Sequence, residues 1–64
     1  MKTLKTVTNG STEIRLEQVF SKEDNRVLGY MISKFKDGLR YYLDSSTTIE
    51  ETEEHFDFYV NAYK

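Results

Sequence analysis

The sequence predicts an α+β fold: a four-stranded antiparallel β-meander followed by one C-terminal α-helix packed on one face of the sheet. Three observations carry this. Asn9-Gly10 and Asp37-Gly38 each sit between runs rich in β-branched and aromatic residues, the pattern of hairpin turns. Only the last third of the chain, from Ser46 on, shows a helical period. The connections are too short for crossovers, so neighbouring strands run antiparallel.

The helix start is marked by Ser45-Ser46-Thr47-Thr48 running into Ile49-Glu50-Glu51. Thr47 with Glu50 and Thr48 with Glu51 both have capping-box spacing. The early glutamates sit where the helix dipole favours negative charge. Stepping about 100° per residue puts Glu50, Glu53, Glu54, Asp57 and Asn61 on a solvated arc. Ile49, Thr52, Phe56, Tyr59, Val60 and Tyr63 fall opposite, and Glu51, His55, Phe58 and Ala62 fill a flank. Phe58 is the residue a one-sided helix does not explain; it is expected either to pack on a strand end or loop, or to touch a second chain.

Strands are predicted over about 3–8, 12–20, 26–35 and 39–44, and the helix over about 48–62, in a single domain. In the second strand Thr12, Ile14, Leu16, Gln18 and Phe20 share one side. At the first turn, a left-handed bulge at Gly10 would pair Val7 with Ser11 and Leu4 with Ile14, joining apolar to apolar. The third strand is apolar on both sides, which marks a central strand. Gly29 within it signals a bulge or a close backbone approach. With Gly38 at positive φ, the second hairpin is expected to pair Phe35 with Leu39, Ser33 with Tyr41, Met31 with Leu43, Ile32 with Tyr42 and Lys34 with Arg40.

Sixty-four residues bury about 60% of the unfolded surface, so the core is marginal. The nine aromatics supply much of it, and the absence of Cys excludes disulfides and thiolate metal sites. No apolar run approaches membrane-spanning length, and the first ten residues lack the apolar centre of a signal peptide. A cytoplasmic location is expected. The net charge of −2 hides a polarity. The first 43 residues carry eight Lys and Arg against five acids; the rest carry Lys64 against six acids.

Function is read from surfaces, since no chemical motif is present. The helix is assigned to the side of Val27, Met31, Phe35, Leu39, Tyr41 and Leu43. That leaves Leu28, Tyr30, Ile32 and Tyr42 on an outer face fringed by Lys34 and Arg40, an apolar patch of the kind that binds partners. The expected function is a small non-enzymatic interaction module, a homodimer joined sheet to sheet, which binds another macromolecule. One alternative is single-stranded nucleic acid, with Tyr30 and Tyr42 stacking bases and Arg26, Lys34 and Arg40 holding phosphates. The element order is shared with single-stranded-DNA-binding transcriptional coactivators, an analogy of fold alone, and none of that family's sequence pattern is present. A second alternative is a small acidic inhibitor of phage type, presenting Glu50, Glu53, Glu54 and Asp57 to a basic site.

No cofactor, metal or small-molecule substrate is expected. Glu51 and His55 share a helix face, but two ligands are too few. One His without an orienting motif, glutamates side by side on a wet face, and isolated glycines offer no catalytic constellation.

Overall fold

The structure is a computed structural model that describes residues 1–63. Among these residues the elements are β1 (Lys2–Asn9), β2 (Thr12–Phe20), β3 (Val27–Lys36), β4 (Leu39–Ser46) and α1 (Ile49–Ala62). The strands form one antiparallel sheet in the order β1-β2-β3-β4, and the helix packs on the sheet. The expected α+β class is observed, with strand and helix ends within two residues of those read from the sequence.

The core is small. Ile14 and Leu16 of β2, Ile32 of β3 and Phe56 of α1 are its buried apolar residues, flanked by Val7, Tyr30, Leu43, Ile49, Tyr59 and Val60. Thr52, also buried, donates its hydroxyl hydrogen to the Thr48 carbonyl at 2.7 Å, which lets a polar residue sit against the sheet.

Both hairpins differ in register from expectation, for reasons of turn chemistry. At the second turn Asp37 and Gly38 both have positive φ, +54° and +78°. That is the two-residue type I′ geometry, whose twist matches that of the strands. Lys36 therefore pairs with Leu39, Phe35 with Arg40, Lys34 with Tyr41 and Ser33 with Tyr42. A register shift then sets Ile32 opposite Asp44, which turns Leu43 toward the core. At the first turn the two central residues are Gly10 and Ser11, and Asn9 pairs with Thr12. Val7 pairs with Ile14 rather than Ser11, and Leu4 is absorbed by a bulge between Thr3 and Lys5. Apolar still joins apolar, but through a different pair.

The sheet faces are corrected along β3. Leu16 pairs with Ile32 and Ile14 with Lys34, so the even residues of β3 share the helix side with the even residues of β2. Tyr30 and Ile32 thus belong to the core, and Met31 and Phe35 lie on the outer face. Tyr41 and Leu43 are on the helix side as expected, and Tyr42 and Arg40 face outward.

The helix begins at an extended Thr48 that makes no side-chain cap bond, so neither expected capping box forms. Ser46 takes that role from the end of β4. Its hydroxyl oxygen accepts from the Thr48 amide at 3.3 Å, and its O–H donates to Glu51 at 3.1 Å. Gly29 explains how the connection fits. A Cβ there would lie 2.9 Å from the Ser46 carbonyl oxygen, so the strand-to-helix connection crosses bare backbone.

Candidate interaction site

Among the described residues no element covers the outer face of the sheet, and much of it is closed by its own side chains. Strand pairing sets out three rows across it: Thr8, Glu13, Phe35 and Arg40; Thr6, Arg15, Ser33 and Tyr42; Thr3, Glu17, Met31 and Ser45. Arg40 reaches diagonally over β3 to the Glu17 carboxylate at 2.6 Å. Arg15 pairs with Glu13. Both guanidinium groups lie against the Phe35 ring, 4.2 Å and 4.9 Å from its centroid, a favourable cation–π geometry. Beneath this layer Glu17 is only 5% exposed, and Ser33 is fully buried with no hydrogen-bond partner for its hydroxyl among the described residues.

This layer yields a prediction. Arg40→Met keeps an apolar stem near Phe35 but strips the charge from a nearly buried carboxylate. It is expected to cost about 2 kcal/mol, the scale of a charge-assisted hydrogen bond, because Arg40 itself is partly exposed and its pairing is screened. In Glu17→Gln the same change is expected to cost much less, and urea denaturation of the four chains measures the coupling.

The open part of the outer face is at one end. There a shallow groove is lined by Val19, Leu28, Gly29, Tyr30, Met31, Tyr42, Ser45, Ser46 and Thr47. None of these residues carries a charge. Tyr42 is 62% exposed and donates its phenol hydrogen to the Ser45 hydroxyl at 2.7 Å, which holds the ring along one wall. Leu28 is 52% exposed, and Val27 beside it is exposed as well.

The structure therefore brings Leu28 and Tyr42 together in one groove and leaves Arg40 nearby in its ion pair. It removes Ile32 and Lys34 from that face, while Tyr30 packs against the core and still borders the groove. Ile32 is fully buried under the helix, and the Lys34 ammonium lies 4.7 Å from the Tyr41 ring centroid and 4.5 Å from that of Tyr63, on the helix side. Sequence reasoning missed Val19 and Met31 as groove residues. The signal was present in β2: Ile14 and Leu16 fix the inner side, and Val19 is then of outer parity.

On the helix, Phe58 is 66% exposed and packs edge to face on Tyr59, with centroids 5.3 Å apart. Glu50, Glu54 and Asp57 are exposed, and among the described residues no cation pairs with them. Glu53 differs, because Lys5 of β1 meets it at 3.1 Å. His55 is occupied too: its Nδ1 lies 2.9 Å from an Asp44 oxygen, in a contact that is not aligned as a hydrogen bond. Partial burial, and after it the Asp44 carboxylate, hold the Tyr59 phenol above its ordinary pKa. Among the described residues no group of three His, Asp or Glu side chains is placed to hold a metal, and no helix is long and apolar enough to cross a membrane.

No family model, no curated protein and no solved structure matches this chain.

Proposed function

We propose that this chain is a small non-enzymatic interaction module that binds another macromolecule through the groove end of its outer sheet face. The observation that carries the reading is the uncharged groove lined in part by exposed Leu28 and Tyr42, on a sheet face that no other element covers among the described residues. Apolar surface left open next to a concave wall gains free energy when a partner removes it from water. The groove lining holds no His, Cys, carboxylate or amine to act as nucleophile, acid or base, so binding fits it better than catalysis.

A second reading has its own support. Phe58 projects from the flank beside a helix face whose acids Glu50, Glu54 and Asp57 lack partner cations among the described residues, as an aromatic anchor bordered by charge would for a basic protein surface. The nucleic-acid alternative draws less support. Tyr30 and Lys34 are on the helix side, and the outward guanidinium groups are already engaged by Glu13, Glu17 and Phe35.

The test is capture of partners by the immobilised chain from extracts of its source cells. Tyr42→Glu is expected to abolish capture, and Glu54→Lys with Asp57→Lys to leave it intact. The reverse pattern would move the site to the helix. Capture indifferent to both changes would sink both readings. Titration with single-stranded oligonucleotides is expected to show no saturable, salt-dependent binding.

A further inference from the structure

We infer that the occupant of the groove is a second copy of this chain, set outer face to outer face about a two-fold axis. The inference rests on the binding role proposed above and names its partner. An isologous interface needs a hollow and a projection within one patch, because each copy must supply both. The groove supplies the hollow, and Leu28, which lines one wall and is half exposed, supplies the projection.

Charge agrees with this. The groove lining is neutral, so it suits a neutral apolar surface rather than a polyanion or a strongly basic protein. Beyond the groove the signs alternate along β2 as Glu13, Arg15 and Glu17, with Arg40 across from them on β4. These four are paired within the chain, Arg15 with Glu13 and Arg40 with Glu17, so together they offer no net charge to a partner of one sign.

Size is the third support. The two longer dimensions of the molecule, 38 Å and 24 Å, frame a face able to furnish the roughly 800 Å² that each partner gives to a stable interface. A chain this short has the most to gain from a second layer, since one helix over one sheet buries a core of few residues.

Sedimentation equilibrium across a wide dilution series tests the inference. Wild type is expected at twice the chain mass at high concentration, dissociating on dilution. Leu28→Asp and Tyr42→Glu, with far-ultraviolet circular dichroism like wild type, are expected at single-chain mass throughout, and Phe58→Ala is expected to behave as wild type. Should either groove variant fail to fold, a nitroxide on Thr6→Cys, an exposed position of the same face, provides the second measurement. Its dipolar coupling is expected in the undiluted chain and is expected to vanish on mixing with excess unlabelled chain. Single-chain mass for wild type at every concentration would overturn the second copy while leaving the binding role to the capture test. A doubled mass unmoved by the groove variants, or lacking label coupling, would overturn the outer face as the contact and with it the reading of the groove.

Discussion

Phe56→Ala is expected to leave the chain largely unfolded at room temperature. Phe56 is the one fully engaged aromatic that the helix contributes to the core, where it meets Ile14, Leu16 and Ile32. Truncating a buried Phe costs about 3–5 kcal/mol in transfer and cavity terms. A domain of this length has a total stability on the order of 3–10 kcal/mol. The loss is thus comparable to the whole. The other helix contacts do not compensate: Tyr59 and Val60 are only partly buried, and Lys5 to Glu53 is an exposed pair. Urea denaturation followed by circular dichroism measures it. A loss below about 1 kcal/mol would mean that the helix is not what holds the sheet's inner face, contrary to the burial pattern.

The second large effect is expected at Gly29. Adding only a methyl group there, Gly29→Ala, sets a carbon 2.9 Å from the Ser46 carbonyl oxygen. The obstacle is backbone on both sides, so neither partner can swing away as a flexible side chain would. The expected cost is about 1–3 kcal/mol, the range for forced overpacking, with the upper end for Gly29→Val. The damage is directional. Displacing Ser46 disturbs the hydroxyl that accepts from the Thr48 amide and donates to Glu51, so the first helical turn is expected to lose hydrogen-exchange protection before the strands do. It also shifts Thr47, which lines the groove. Uniform loss of protection across the sheet would argue that Gly29 matters through strand twist instead.

Much of the fold was legible because its signals are local. The 3.6-residue period of the helix sorted Thr52 and Phe56 inward and Glu50, Glu54 and Asp57 outward, and the structure agrees. Asp37-Gly38 marked a turn because only a few residue types tolerate consecutive positive φ. The mid-strand glycine signalled a bulge or a close backbone approach, and the structure has the Ser46 carbonyl close to it and a register shift beside it.

The candidate site was half legible. Leu28, Tyr42 and Arg40 were expected on the outer face and lie there or at its edge. Tyr30, Ile32 and Lys34 were expected beside them and face the helix. The cause is β3, which is apolar on both sides and so carries no alternation to assign its faces. Its parity is inherited from its neighbour: once Leu16 sits opposite Ile32, the buried residues of β2 decide which side of β3 is inside.

By itself the sequence determined the element order, the turn positions, the polarity of charge and the inward arc of the helix. Each follows from residues within a few positions of one another, through backbone dihedral preference or side-chain period. Only the tertiary structure decided the strand registers, the inner face of the sheet and the closing of the outer face by Arg15, Phe35 and Arg40 over Glu17. Those depend on which residues far apart in the chain come to lie side by side, and a one-residue change in pairing moves every contact between two strands.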